Sequence, residues 1–139
     1  MKKNIKVIKV DDSISLKQIE VSDANDLFET IDAQRNYLGP WLPFVNFTKS
    51  IKDSEEFIET IENTPENKKE YIFVIKYNSE FAGIIGFKAT DKLNKKTEIG
   101  YWLSEHFQKK GIITQSVKSL IDFAFNELEL NRIQIKCAV

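Results

Sequence analysis

The feature that most constrains the fold lies between Thr97 and Leu128, where a β-strand, a glycine-containing loop and a long amphipathic helix follow one another. The residue pattern predicts a strand over Thr97–Leu103 and a loop over Ser104–Lys110. In the predicted helix Thr114–Leu128, apolar residues recur at the spacing that buries one helix face: Val117, Leu120, Ile121, Ala124, Phe125 and Leu128. This combination predicts a mixed α/β chain.

The remaining segments also divide into strands and helices. We predict strands at Ile5–Val10, Ile14–Glu20, Tyr71–Tyr77, Phe81–Lys88 and Arg132–Val139, and helices at Asp23–Asn36 and Asp53–Asn63. Short polar turns predict that the first two strands form a hairpin and that the next two form another. Ser22 stands at an N-cap position. The length of 139 residues predicts that residues 1–139 form a single domain.

Charge and composition exclude several classes of function. The net charge is −1 and basic residues occur in pairs rather than in long runs, which argues against nucleic acid as a partner. No apolar run approaches membrane-spanning length, and no signal-like apolar segment follows Met1. The single cysteine excludes an internal disulfide and a cysteine-cluster zinc site. We therefore expect a cytoplasmic protein without a metal, a membrane or a nucleic-acid partner.

The loop before the long helix has the features of an anion-binding site. The first N–H groups of a helix lack partners inside the helix, and the helix dipole is positive there. Gly111 permits a tight turn and close approach of a phosphate, and Lys109 and Lys110 add positive charge. Thr114 can cap the helix or donate its hydroxyl group to a phosphate. The same residues are typical of an ordinary helix entrance with solvated lysines, so both interpretations stay open.

Residues around this loop resemble a known enzyme family. Gln108–Ile113 is similar to motif A of the GNAT acetyltransferases, which reads Arg/Gln-x-x-Gly-x-Gly/Ala and opens a helix. Glu98–Leu103 and Lys110–Thr114 resemble the strand and loop of the RimJ/RimL-type branch, the ribosomal-protein N-terminal acetyltransferases and their relatives. Ile113 replaces the small residue at the last motif position, where this branch often carries a larger apolar residue.

Two further segments resemble the same branch. Arg35–Phe44 is similar to its Arg-x-x-Leu-x-x-Trp-Leu-Pro segment, and Asn131–Ile133 with Cys137–Val139 is similar to its next-to-last core strand. The resemblance implies a mixed α/β (α+β) fold with a twisted, mainly antiparallel sheet flanked by helices. Family members continue beyond that strand, so we expect the last helix, the closing strands and the general acid to be absent. The uncovered sheet edge would favour a homodimer.

The resemblance implies that acetyl-CoA is the co-substrate and that its acetyl group passes directly to an amine. In the family, the loop amides hold the pyrophosphate and main-chain groups at the end of the preceding strand bind the pantetheine arm. The residues expected to contact acetyl-CoA are Trp102, Leu103, Gln108, Lys109, Lys110, Gly111, Ile112, Ile113 and Thr114. Tyr101 and Trp102 are expected mainly as packing residues that also line the groove.

Glu98 is the candidate general base, because the attacking amine must lose a proton and some family members carry a catalytic glutamate at this position. A cross-strand ion pair with Lys96 or Arg132 is the alternative interpretation. Cys137 matches a position close to the CoA sulfur in some relatives, although a buried apolar role is favoured. His106 is expected at the edge of the ligand site rather than in catalysis.

Tyr37, Trp41 and Phe44 are expected to line the acceptor pocket, or to pack as a lid on the core between two helices. The acceptor is then a protein N-terminus, as on ribosomal proteins, or a small-molecule amine. Three functions stay open: an N-acetyltransferase, an acyl-CoA-binding module or truncated remnant without turnover, and an interaction domain in which the glycine loop only starts a helix.

Overall fold

The computed structural model describes residues 7–35, 48–63, 71–91, 94–107, 111–126 and 132–137. The strands are β1 (Val7–Lys9), β2 (Ile14–Gln18), β3 (Ile72–Tyr77), β4 (Glu80–Asp91), β5 (Lys96–Leu103) and β6 (Arg132–Cys137). The helices are α1 (Ala24–Ala33), α2 (Ile51–Glu62) and α3 (Ile112–Asn126), and short 3-10 turns cover Val21–Asp23 and Glu105–Phe107. Each predicted strand and helix is present. The predicted ends at Ile5, Asn36, Leu128 and Val139 lie outside the described residues, and the other ends agree to within a few residues.

The strands form a 6-stranded sheet in the order β1-β2-β3-β4-β5-β6. Each pair of neighbours from β1 to β5 is antiparallel, and β6 pairs with β5 in parallel. The parallel pairing agrees with the connection, because a parallel neighbour requires a crossover and α3 lies in the segment between β5 and β6. The predicted mixed α/β fold with a mainly antiparallel sheet is confirmed.

The sheet separates α3 from α1 and α2. On the face called here the α3 face, one apolar cluster joins strand residues to α3 and includes Leu16, Phe73, Ile85, Phe87, Ile99, Leu103, Ile112, Leu120 and Phe123. On the opposite face, called here the α1/α2 face, a second cluster includes Leu27, Ile31, Ile58, Val74 and Trp102. Alternating side chains of the strands supply both clusters, so the sheet is buried from two sides.

Both predicted hairpins are present and have recognisable turns. Asn78 and Ser79 between β3 and β4 have φ values of 49° and 69°, the left-handed conformation that a tight two-residue hairpin turn requires. Between β1 and β2, Asp11 Oδ1 accepts hydrogen bonds from the backbone N–H groups of Ser13 and Ile14, both at 2.7 Å. The carboxylate of Asp11 therefore takes the place of a backbone acceptor in this turn.

The start of α1 differs from the prediction. Ser22 is not the N-cap, because it lies inside the 3-10 turn that precedes Ala24, where α1 begins. The carboxylate of Asp23 accepts a hydrogen bond from the Glu20 N–H at 2.9 Å and forms an ion pair with Lys17 Nζ at 2.7 Å. Burial alone would lower the pKa of Lys17, but hydrogen bonds to Asp23 and Glu20 outweigh it, so the pKa of this ammonium group is raised.

Helix α2 begins at Ile51, two residues before the predicted start at Asp53. Ser50 is the N-cap, since its side chain accepts a hydrogen bond from the Asp53 N–H at 3.4 Å. The Asp53 carboxylate in turn accepts a hydrogen bond from the Ser50 N–H at 3.1 Å, which completes a capping box. The three-residue spacing from Ser50 to Asp53 is a sequence signal for this helix start. The apolar pattern alone predicts a start two residues too late.

Candidate active site

The side chains of β5 divide between the two faces of the sheet. Tyr101 and Leu103 contact the cluster on the α3 face, and Trp102 belongs to the cluster on the α1/α2 face. The predicted packing roles of Tyr101 and Trp102 are therefore confirmed. Because side chains alternate along a strand, Glu98 and Gly100 share the face of Trp102. Gly100 contributes no side chain between Glu98 and Trp102.

Glu98 thus lies on the side of the sheet that α1 and α2 cover. Its side chain is partly buried, and the Oε1 atom is fully buried. In the strand register it stands opposite Lys88 of β4 and Gln134 of β6, and it has an interaction partner within the protein. Lys96 and Arg132, the ion-pair partners considered from the sequence, stand opposite each other.

The backbone at the end of β5 presents hydrogen-bonding groups in two directions. The Ser104 N–H donates to the carbonyl oxygen of Ala82 in β4 at 2.7 Å. Backbone groups of successive strand residues point to opposite sides, so the N–H and C=O of Leu103 point away from β4, toward the side of β6. The described pairing with β6 reaches Tyr101 opposite Cys137, and Leu103 lies further along β5 than this pair. The main-chain groups of Leu103 therefore face the side of β6, and Leu103 has an interaction partner within the protein.

A close approach of β4 shapes the same end of β5. A Cβ atom added at Gly83 would lie 2.2 Å from the carbonyl oxygen of Trp102, so only glycine fits at this position without a shift. The pairing of β3 with β4 shifts nearby and leaves Ala82 as an extra residue between the partners of Ile75 and Lys76, which is a β-bulge. Gly83 was missed from the sequence, although a glycine inside an apolar strand is a signal of close backbone approach.

The start of α3 has an exposed glycine in the left-handed conformation. Gly111 has a φ of +70°, and no atom of the described residues lies within 4 Å of the position a Cβ would take. Its carbonyl oxygen accepts the first helical hydrogen bond, from the Gln115 N–H at 3.2 Å. The predicted tight turn is confirmed. Thr114 does not cap α3, because the helix already begins at Ile112; Thr114 is exposed in the first turn, and Ile113 packs against the α3 face.

Several predicted site residues lie outside the described residues: Tyr37, Trp41, Phe44, Gln108, Lys109 and Lys110. The side chains of His106 and Cys137 are outside the description as well. Among the predicted acetyl-CoA contacts that are described, the side chains of Trp102, Leu103 and Ile112 are buried in the two clusters. Any contact of these three residues with a ligand therefore has to involve their main-chain groups.

A buried hydrogen-bond bridge joins α1 to the end of β5. Gln34, which directly follows α1, is 7% exposed. Its Nε2 donates to the Oγ of Ser104 at 2.6 Å, and its Oε1 accepts from the Glu105 N–H at 2.8 Å. Sequence reasoning missed this contact, because the partners are 70 and 71 residues apart and no local pattern marks such a pair.

Arg35 connects α1 to the chain that precedes α2. Its Nε donates to Asp32 Oδ1 at 2.8 Å, and its Nη2 donates to the carbonyl oxygen of Thr48. These contacts tie together the two ends of the range 36–47, in which the predicted acceptor-pocket residues fall. Arg35 is the first residue of the segment that resembles the RimJ/RimL-type branch, and its guanidinium group contacts other parts of the protein.

Comparison with known proteins identifies the class of protein. Residues 13–139 match the family described as "Acetyltransferase (GNAT) domain", and the chain belongs to this family. Within it, the chain resembles the RimL/RimJ-type ribosomal-protein acetyltransferases.

YdaF of Bacillus subtilis (strain 168) is 36% identical over 94% of this chain and 72% of that protein. The ribosomal-protein-serine acetyltransferase of Escherichia coli (strain K12) is 33% identical over 95% of this chain and 74% of that protein. The solved structure of the microcin C7 self-immunity acetyltransferase MccE in complex with acetyl-CoA and AMP has a TM-score of 0.85 at 34% identity. That match covers 94% of this chain and 72% of the MccE chain.

None of the helices in the described ranges is both long and apolar enough to cross a membrane. The same ranges contain no group of three or more His, Cys, Asp or Glu side chains placed to hold a metal ion.

Proposed function

We propose that this protein is an N-acetyltransferase that moves the acetyl group of acetyl-CoA to an amine, on a protein N-terminus or on a small molecule. The observation that carries the proposal is the arrangement of β5 and α3 in a member of the GNAT family. Strand β5, in which the main-chain groups of Leu103 point away from β4, is followed by a helix that opens at the exposed, left-handed Gly111.

The N-terminus of α3 supplies the binding site for the pyrophosphate. The free N–H groups of its first turn and the helix dipole attract a negative charge. Gly111 adds no side chain, so a phosphate can approach the backbone closely. Gln108, Lys109 and Lys110 precede it in sequence and match the family motif, and Thr114 offers an exposed hydroxyl group.

The main-chain groups of Leu103 hold the arm that carries the thioester. They point away from β4, as the Ser104–Ala82 hydrogen bond shows by alternation along the strand. A backbone N–H at this place also stabilises the negative charge that develops on the thioester oxygen during attack. Trp102 and Leu103 themselves serve as rigid supports, since both side chains are buried.

Glu98 removes the proton from the acceptor. An amine is protonated at neutral pH and attacks only as the free base, so a carboxylate that takes the proton enables the reaction. The amine nitrogen then bonds to the carbonyl carbon of the thioester, the carbon–sulfur bond breaks, and CoA leaves as a thiolate that takes up a proton. Glu98 lies on the α1/α2 face, on the same side as the chain that carries Arg35.

Relatives support two kinds of acceptor. The Escherichia coli relative is a ribosomal-protein-serine acetyltransferase, and the MccE structure is a complex with acetyl-CoA and AMP. We place a protein N-terminal amine first and a small-molecule amine second. A cytoplasmic site of action fits a chain with a single cysteine and a ribosomal acceptor.

The test is a thermal melt of the protein with and without acetyl-CoA, followed by measurement of thiol release with a peptide that begins with serine. A bound ligand at a hundredfold excess over its dissociation constant raises the free energy of unfolding by about 2.7 kcal/mol. Gly111→Asp should abolish this shift, because it adds a negative charge and strain where the phosphate binds. Lys95→Asp is the control, since Lys95 is also left-handed and exposed but lies at the opposite end of β5.

A melt that acetyl-CoA leaves unchanged overturns the proposal. A shift without thiol release from either acceptor class would instead support an acyl-CoA-binding module without turnover. Equal effects of Gly111→Asp and Lys95→Asp would show that the ligand does not bind at the start of α3.

A further inference from the structure

The amide group of Gln34 is buried, and both its nitrogen and its oxygen form hydrogen bonds. Burying an amide without hydrogen bonds costs free energy, so its partners determine its orientation. The Nε2 atom bonds to Ser104 and the Oε1 atom bonds to Glu105, at 2.6 and 2.8 Å. Ser104 is itself only 2% exposed. The two hydrogen bonds therefore form a fixed bridge.

The bridge holds the residues at which β5 becomes the loop. Ser104 is bound on one side by Ala82 of β4, through the hydrogen bond of 2.7 Å, and on the other side by Gln34. The Phe107 N–H donates to the Ser104 carbonyl oxygen at 3.0 Å, which closes the 3-10 turn after the strand. The turn thus has one support from the sheet and one from α1.

We propose that Gln34 is a positioning residue for acetyl-CoA, acting through Ser104 and Glu105. This inference rests on the proposed function. The turn Glu105–Phe107 lies between the end of β5 and the residues that lead to Gly111, so both proposed binding regions for acetyl-CoA are next to it in the chain. By holding Ser104 and Glu105 next to the end of α1, Gln34 fixes the start of the turn that follows β5.

The size of the effect follows from what remains when the bridge is removed. The hydrogen bond from Ser104 to Ala82 stays, so the end of β5 keeps its place in the sheet. The turn after it loses its support from α1, and a small displacement of binding groups weakens a ligand contact without unfolding the protein. We expect the dissociation constant of acetyl-CoA to rise about tenfold.

The experiment compares Gln34→Met with wild type by titration calorimetry with acetyl-CoA. Methionine has the same length and no hydrogen-bonding amide, so it fills the site and removes the bridge. The matched control is Gln18→Met, because Gln18 is a buried glutamine on β2, separated from β5 by β3 and β4. Urea unfolding of each variant shows that it is folded and gives its stability.

The expected result is an acetyl-CoA dissociation constant about tenfold higher for Gln34→Met and within about twofold of wild type for Gln18→Met. In turnover, the KM for acetyl-CoA should rise while the KM for the acceptor stays unchanged. A purely structural role would lower stability in both variants and leave both constants alone.

A double-mutant cycle with Ser104→Ala tests the route of the effect. If Gln34 acts through Ser104, the two changes together weaken binding by less than the product of their separate effects. Ser104→Ala also carries the test if Gln34→Met does not fold, with an expected rise of about threefold in the dissociation constant.

The outcomes separate this inference from the function on which it rests. Wild-type protein that does not bind acetyl-CoA overturns the proposed function. Wild-type protein that binds, with Gln34→Met binding equally well or Gln18→Met weakened as much, overturns the role of Gln34 and leaves the function standing. Independent effects in the cycle would show that Gln34 does not act through Ser104.

Discussion

On the α3 face of the sheet, large apolar side chains fill the space beneath one helix, whereas on the α1/α2 face a smaller apolar cluster is bordered by buried polar groups. The α3 face holds aromatic rings whose centroids lie 5.4 to 6.3 Å apart: Tyr71, Phe73, Phe87 and Phe123. The α1/α2 face holds the buried Asp23 with its lysine partner and the buried Gln34 bridge.

The difference matters because apolar contacts and hydrogen bonds stabilise a structure in different ways. Apolar burial is non-directional and contributes in proportion to the area removed from water. Hydrogen bonds contribute less net free energy but restrict distance and angle. The candidate base Glu98 and the Gln34 bridge both lie on the α1/α2 face, where buried hydrogen bonds fix the orientation of side chains. Substitutions on the α3 face should therefore cause the largest losses of stability, and substitutions of Glu98 and Gln34 on the α1/α2 face should mainly change alignment and chemistry.

The largest expected effect is on the α3 face. Phe123→Ala removes a ring that contacts Tyr71, Phe73 and Phe87, and should lower the free energy of unfolding by about 3–5 kcal/mol. Urea unfolding measures the loss. Phe125→Ala on the same helix is the control, because Phe125 is 46% exposed and its removal should change stability little. Equal losses in both variants would contradict the assignment of the α3 face as the main source of stability.

Next in size is the effect of Glu98→Gln on the α1/α2 face. If Glu98 accepts the proton, kcat should fall at least about a hundredfold while acetyl-CoA affinity and stability stay close to wild type. Steady-state kinetics with a serine-terminated peptide would measure this, with the exposed Glu80→Gln as the control. A loss of stability with unchanged kcat would favour an ion-pair role for Glu98 and would contradict its role as the general base.

The smallest expected effect depends on pH and concerns Lys17. The pKa of Lys17 is raised above its ordinary value of 10.5, so its interactions stabilise the folded protein below that pH. This stabilisation is lost as the pH rises through the pKa of the folded state. Lys17→Met should lower the free energy of unfolding by about 1–2 kcal/mol at neutral pH, and the difference from wild type should shrink in strongly alkaline solution.

Denaturant unfolding across the alkaline range measures this difference. Lys9→Met is the matched control, because Lys9 and Asp12 form an ion pair at 4.0 Å with both side chains largely exposed. A difference for Lys17→Met that does not change with pH would mean that packing of its aliphatic chain, and not its charge, supports the start of α1.

Local patterns were sufficient to predict the elements and less reliable for their ends. Alternating apolar residues predicted β3 and β5, and the helical spacing of apolar residues predicted α3. The predicted start of α3 at Thr114 is two residues too late, because the helix begins at Ile112, directly after Gly111. Helix ends depend on which polar group satisfies the first N–H groups, and several residues could do so.

The sequence by itself determined the strands, the helices, the glycine turn before α3 and the family, because each depends on residues that are neighbours in the chain. Only the tertiary structure decided that α1 and α2 cover the face of β5 that carries Glu98 and Trp102, that the main-chain groups of Leu103 point away from β4, and that Gln34 meets Ser104. The reason is physical: these relations depend on strand order, register and packing between residues up to 71 positions apart, which local propensity does not encode.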